Sequence, residues 1–265
     1  MTFYDSHNHL HDDRLKRHLP GVLKAIAAQP IGKMVVNGAC ENDWPDLLAL
    51  ARSCPQVIPS FGYHPWYVGE RTPQWQEKWT ALLAQIPAGV GEIGFDKWIK
   101  GHDVAAQTEV FLWQWRQAVE RNLPVSVHCI QAWGLLLDTL RRERRPAVGF
   151  MLHSFGGPAE MIPELVKLGA YFSLPGYFAH ERKLRQREAF RRVPLDRLLI
   201  ETDAPDQPLP AARVRFPLAD DLNHPANIGA VYEFASEWLD VPLEKLSAQV
   251  EENFMRLFGA LCGAR

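Results

Sequence analysis

Short apolar, β-branched runs alternate along the chain with longer segments of helical period, and this alternation limits the available folds more than any other feature. Runs ending near His9, Asn37, Tyr63, Gly94, His128, His153, Ser173 and Asp203 read as strands. Lys33-Met34-Val35-Val36-Asn37 and Pro124-Val125-Ser126-Val127-His128 are typical. Between them, helical periodicity covers 15–28, 44–53, 75–86, 104–122, 133–142, 161–168 and 184–192. Two further helices are expected over 226–239 and 243–258, with Pro242 suited to the start of the second. Strands separated by helices pair in parallel, because each return to the same end needs a crossover. About eight strands is the number that closes an α/β barrel. The expected fold class is therefore α/β, a TIM (β/α)8 barrel spanning 1–265 as one domain.

The chain has 265 residues, and such barrels occupy about 250 as a single unit. Its 47% hydrophobic content supplies one large core. A net charge of −2 provides no global field to draw nucleic acid or an anionic membrane, so such binding requires a local patch. Met1 to His7 lacks the basic and apolar regions of a secretory signal, and no apolar run approaches the ~18 to 20 residues of a membrane span. The expectation is a cytoplasmic protein with no membrane partner. Cys40, Cys54, Cys129 and Cys262 form no CxxC pair and read as free thiols. Cys129 follows His128 directly, on the opposite face of a strand, which excludes a cysteine–histidine nucleophile.

Parallel strands deliver their C-terminal ends to one face, where ligands distant in sequence can meet one ion. Six side chains stand at such ends: His7, His9, Glu92, His128, His153 and Asp203. Asp5, His7 and His9 alternate, so the two imidazoles share a face and Asp5 is expected to fix their tautomers. The competing reading is a solvated, histidine-rich terminus. Glu92 lies in Gly91-Glu92-Ile93-Gly94-Phe95-Asp96, an apolar strand where an unpaired charge is costly. Its two oxygens suit it to bridge two ions, the alternative being a core carboxylate paired with Lys97 or Arg116. His128 or His153 alone would read as a hydrogen-bonded core residue, but the pair ends equivalent strands. Asp203 follows Glu201 by two positions on the same face, which suits one metal-binding carboxylate and one carboxylate supporting the ligands from behind. His64, in Gly62-Tyr63-His64-Pro65, is a candidate substrate contact on the same rim. The segment 204–225 holds five prolines and no periodic pattern, the mark of a functional or mobile loop.

Taken in order, Asp5-Ser6-His7-Asn8-His9, Gly62-Tyr63-His64-Pro65, Gly91 to Asp96, Pro124 to His128, His153-Ser154-Phe155-Gly156-Gly157 and Glu201-Thr202-Asp203-Ala204-Pro205 resemble the TatD-type metal-dependent hydrolases of the amidohydrolase superfamily. The closing Asn253-Phe254-Met255-Arg256-Leu257-Phe258 fits as well. The resemblance implies a distorted (β/α)8 barrel with two divalent metal ions. One would be held by His7, His9, Glu92 and Asp203, the other by Glu92, His128 and His153. Glu92 and Asp203 would be catalytic, with Asp203 taking a proton from a metal-activated water that attacks a phosphodiester in DNA. No lysine stands at the end of the Glu92 strand, so the bridge would be Glu92 itself rather than a carboxylated lysine. Zn, Mn and Mg are the candidate ions; histidine with carboxylate suits Zn, Mn or Fe, whereas Mg prefers oxygen.

The chain departs from that family at two places. Ile130 and Gln131 stand where an arginine and an acid are usual, and Leu222-Asn223-His224-Pro225 replaces Arg-Asn-Glu-Pro. Both changes are expected to remove a cation from the pocket rim, where it would steady phosphate oxygens. That brings in rival substrates: a small ester, amide or phosphoester, or a D-aminoacyl-tRNA. A metal-binding protein without catalysis is the remaining rival, opposed by the intact ligand set. For nucleic acid, the basic material is Arg141 to Arg145 and the stretch from Arg182 to Arg192, whose competing reading is a solvated helix surface. His180, Arg182 and Lys183 are expected nearest the rim, and Trp66, Tyr67, Trp98, Trp133 and Tyr177 are placed to stack on bases. Most of the nine tryptophans are expected to pack helices onto the barrel.

Overall fold

In the computed structural model, which describes residues 1–263, eight strands pair in chain order and every pair is parallel. They are β1 (Phe3–Asn8), β2 (Ile31–Asn37), β3 (Val57–Phe61), β4 (Gly89–Asp96), β5 (Val125–Ile130), β6 (Phe150–Leu152), β7 (Ala170–Pro175) and β8 (Leu198–Glu201). The helices are α1 (Leu19–Ala27), α2 (Trp44–Ser53), α3 (Trp75–Leu83), α4 (Val104–Arg121), α5 (Trp133–Arg142), α6 (Ile162–Lys167), α7 (Leu184–Ala189), α8 (Ile228–Leu239) and α9 (Leu243–Phe258). One departs from its sequence-based bounds for a visible reason. The expected helix from Leu15 begins as a 3-10 turn, and regular α-helix starts only at Leu19, where Pro20 sits in the first turn and needs no N–H partner.

Strands buried on both faces read as continuous apolar runs, and β4 is buried along its whole length. Gly94 is what lets β4 lie so near β5: a Cβ there would stand 1.9 Å from the His128 carbonyl oxygen. The helices are seated by aromatic anchors whose polar tips are satisfied. The indole N–H of Trp44 donates to the Gly62 carbonyl at 3.0 Å, and that of Trp79 to Phe61 at 2.9 Å.

β1 and β8 lie side by side, tied by hydrogen bonds around their ends. Ser6 Oγ donates to the Ile200 carbonyl at 2.9 Å, Asp203 N to His7 O at 3.0 Å, and His9 N to Ala204 O at 2.7 Å. Residues 204–225 carry only short 3-10 turns, as the proline content requires, and fold back over this seam. All four cysteines are free thiols. No helix among the described residues is long and apolar enough to cross a membrane.

Candidate metal centre

All six of the strand-end residues come together at the C-terminal mouth. β1 supplies His7 and, one residue past its end, His9; β4 supplies Glu92; β5 supplies His128. His153 and Asp203 stand one and two residues beyond β6 and β8. Glu92 is the hub. Its Oε1 lies 2.8 Å from His128 Nδ1 and 2.8 Å from His153 Nε2, while its Oε2 lies 3.2 Å from Nε2 of both His7 and His9. Asp203 Oδ1 faces the same two Nε2 atoms at 3.5 and 3.7 Å. Arg116 pairs instead with Glu143 at 2.7 Å, so the reading of Glu92 as its core partner fails.

Ligand atoms of His7, His9 and Glu92 lie within 4.8 Å of one another, as do those of His7, His153 and Asp203. Buried donors crowded in this way repel or leave bare lone pairs unless a cation sits among them, and imidazole with carboxylate is a borderline donor set suited to Zn or Mn. The atoms behind the cluster agree. Asn37 presents its side-chain amide 3.0 Å from His7 Nδ1, and its carbonyl oxygen lies 2.7 Å from His9 Nδ1. The atom placed there is Nδ2, while Asn37 Oδ1 is buried without a partner; exchanging the two amide atoms, which are alike in shape, lets the oxygen accept the Nδ1 proton and leaves Nε2 bare for a metal.

Asp5 does not do the supporting work expected of it. Register shifts along β1 break the strict alternation, and the Asp5 carboxylate turns to β8, accepting Thr202 N at 3.0 Å and Thr202 Oγ1 at 2.6 Å. Asn37 takes that role for both imidazoles. The other pair is backed by acids. His128 Nε2 lies 2.9 Å from Asp96 Oδ2, and His153 Nδ1 lies 3.8 Å from Glu201 Oε1, which also accepts Ser154 N at 2.8 Å. Glu201 thus stands behind His153 at ion-pair distance, beyond hydrogen-bonding range, and His153 Nδ1 has no hydrogen-bond partner among the described residues. Asp203 Oδ2 accepts instead from Gln207, whose amide also reaches Ser154 Oγ at 2.7 Å. Asp96, Asn37 and Gln207 were missed as site residues. The only sequence signal was their position at or just past strand ends.

Burial pulls the His9 ring down, but the hydrogen bond and charge of Glu92 overcome it and hold the group up at about 9. Burial and the neighbouring His153 lower His7 to about 4. Burial raises Asp203 to about 7, against the opposing pull of His153 and His9. Asp96 is driven low despite burial, by its bonds to His128 and Trp66. His64 is buried and lowered to about 4 by desolvation. Its Nδ1 accepts Trp66 N–H at 3.2 Å, so the neutral ring carries its proton on Nε2, 3.5 Å from Glu92 Oε1.

His9, His64, Glu92, His128, His153 and Asp203 line a cavity of about 1310 Å³. Ile130 and Gln131 line it, as the departure from the family pattern anticipated, and so do the five aromatics named above. Leu222 to His224 do not belong to that wall. Asn223 Nδ2 donates to Thr202 O at 2.7 Å and His224 Nδ1 accepts Ala226 N at 2.9 Å, so both side chains are buried tying down the loop. The expected loss of a rim cation at Leu222 is therefore corrected. Arg182 and Lys183 line the cavity, while His180 faces a neighbouring cleft. Arg141 is paired with Glu164 at 2.7 Å on the outer surface.

Imidazoles and carboxylates gathered at the mouth of an eight-stranded parallel barrel define a metal-dependent hydrolase. The chain belongs to the TatD related DNase family, which matches residues 4–259. It is 30% identical to the uncharacterized metal-dependent hydrolase YcfH of Escherichia coli K12, covering 97% of this chain and 96% of that one. It is 29% identical to the 3'-5' ssDNA/RNA exonuclease TatD of Escherichia fergusonii, over 90% and 91% of the two chains. The crystal structure of YjjV, a TatD homolog from Escherichia coli K12, matches with a TM-score of 0.88 at 26% identity, covering 97% of this chain and 98% of that one.

Proposed function

We propose that the protein hydrolyses phosphodiester bonds in single-stranded nucleic acid with two divalent ions held at the barrel mouth. The observation that carries this reading is the division of Glu92: one oxygen faces His128 and His153, the other His7 and His9. A carboxylate so placed would suit holding two ions, one with His128 and His153 and the other with His7, His9 and Asp203. The E. fergusonii relative's activity on ssDNA and RNA, given by its name, supports the substrate class.

Bound metal would lower the pKa of a water, polarise the phosphoryl group and stabilise the leaving oxygen. Asp203, whose Oδ1 faces the His7 and His9 imidazoles, accepts the proton of the attacking water. His64, with its proton on Nε2, donates a hydrogen bond to a phosphoryl oxygen, although its ring also lies within ligand distance of Glu92 and His128. Gln207 holds Asp203 Oδ2 and so keeps Oδ1 toward the imidazoles. Arg182 and Lys183 supply positive charge on the rim.

The test is metal analysis followed by a panel of single-stranded DNA, RNA, simple phosphodiesters and carboxylic esters, each with and without chelator. Chelator-sensitive cleavage of the single-stranded polymers is expected. Turnover confined to esters or other non-nucleic compounds would overturn the reading. A small-ester hydrolase is the second reading, favoured by Ile130, an exposed apolar side chain on the rim.

A further inference from the structure

The mouth of the barrel has two chemically distinct walls. Five large hydrophobic side chains stand exposed among the described residues, and three of them, Trp66, Trp98 and Ile130, line this one cavity. Trp66 and Trp98 follow β3 and β4 and Ile130 ends β5, so they occupy one side. β7 lies across the barrel from β3 in the strand order, and the segment after it brings Arg182, Lys183 and Arg185 to the same cavity. None of these three cations has a carboxylate partner among the described residues, whereas Arg14 on the rim is locked between Asp12 and Asp206 at 2.8 and 2.7 Å.

The structure also sorts the rim aromatics. Trp133 packs on Phe155 with centroids 4.8 Å apart, and Tyr177 is covered by Arg182 and Lys183 at 5.1 and 4.9 Å. Tyr67 is half-buried. Trp98 is 62% exposed and has no aromatic partner among the described residues. Trp66, 42% exposed, is held rigidly: its indole N–H donates to Asp96 Oδ2 at 2.7 Å, the oxygen that backs His128. Asp96 Oδ1 accepts the backbone N–H of Trp98 at 2.7 Å. One buried carboxylate therefore fixes a proposed metal ligand and the base of the aromatic wall in a single frame.

We propose that Trp66, Trp98 and Ile130 form a subsite for an unpaired nucleobase, while the sugar–phosphate chain lies toward Arg182, Lys183 and Arg185. This rests on the phosphodiesterase reading above and deepens it. An indole face held by hydrogen bonding loses little freedom when a base stacks on it, and every base offers a flat face. Ile130 then acts as an apolar contact to the base and not as a defect in a phosphate grip. Paired bases present only their edges, so the subsite selects single strands.

The test compares deoxyadenosine 5'-monophosphate with 2-deoxyribose 5-phosphate, titrated against the metal-loaded protein by calorimetry and tryptophan fluorescence. The nucleotide should bind about tenfold more tightly or better. Trp98→Ala should shrink that ratio severalfold, and Arg185→Ala should weaken both ligands while leaving the ratio in place. Ile130→Arg should tighten the sugar phosphate relative to the nucleotide. Equal affinity for the two probes, or a ratio unmoved by Trp98→Ala, would overturn the subsite. Absence of any polymer cleavage would instead fall on the phosphodiesterase reading, since these binding measurements need no turnover.

Discussion

The two halves of the proposed metal centre are built from the same ligand types but backed differently. His7 and His9 lean on Asn37, an amide side chain and a main-chain carbonyl, while His128 and His153 lean on the buried carboxylates Asp96 and Glu201. A carboxylate behind an imidazole raises its basicity as a ligand more than a neutral acceptor does. With two ions bound as proposed, the Glu92, His128 and His153 half should be the tighter site and the half that includes Asp203 the more exchangeable one, so that a proton acceptor on the looser half could reorganise without unseating the tighter ion.

Glu92→Gln should produce the largest effect, because one oxygen of that side chain faces each half. Metal content should fall below two ions per chain and turnover should be lost, as read by elemental analysis and chelator-controlled assay; full occupancy would break the bridging assignment. Asp203→Asn comes next, with kcat reduced about 10³-fold, within the range for a general base, and little change in melting temperature. Retained kcat would remove Asp203 from its role.

Asn37→Leu and Asp96→Asn separate the halves directly. Each should weaken one step of a two-step metal titration, by about 10- to 100-fold, the usual cost of losing a group that orients a ligand. Asn37→Leu should act on the weaker step and Asp96→Asn on the tighter. If both shift the same step, the contrast between the halves is wrong.

These supporting residues also mark where the sequence stops being legible. The barrel, its eight strand ends and the six candidate ligands can be read from local patterns, since apolar runs and their polar termini are properties of contiguous residues. Which ring nitrogen faces inward, and what stands behind the other, depends on cross-strand neighbours. Asp5 looked like the support for His7 by spacing, yet the irregular β1 register sends it to Thr202. Leu222 to His224 looked like rim by analogy, yet Asn223 and His224 are consumed by the loop's own backbone.

Proton release sharpens the comparison further. In the metal-free protein His7, lowered to about 4, is already neutral at pH 7, whereas His9, raised to about 9, must shed its proton to bind an ion. His128 and His153 are both raised, each by Glu92 and by the acid behind it, outweighing their burial. Between pH 7 and 9 the affinity of the first half should therefore rise by about one log unit per pH unit as His9 loses its proton, and more steeply below pH 7, where Asp203 is protonated too, while the second half has two raised imidazoles, His128 and His153, to deprotonate. Calorimetry in two buffers of different ionisation enthalpy counts the protons directly, and equal counts for both steps would contradict the difference.

The smallest effect is expected from Thr202→Val, which touches only the seam beside the looser half. It removes the hydroxyl that donates to Asp5 Oδ2 at 2.6 Å and leaves that buried oxygen with one side-chain donor, Asn8 Nδ2 at 3.0 Å. The cost should be about 1 to 2 kcal/mol, a fall of roughly 2 to 4 °C per kcal/mol in a chain of this size. Burial already pushes Asp5 up to about 7 against the pull of the Thr202 bonds. A carboxyl raised on folding contributes stability that is present at low pH and lost as pH rises through its folded value. In the metal-free protein the penalty of Thr202→Val should therefore be larger at pH 8, where Asp5 is ionised and needs the donor, than at pH 5. A penalty of the same size at both pH values would show that Asp5 does not titrate at the seam. Weakening of the tighter metal step by the same variant would show that the two halves are not independent.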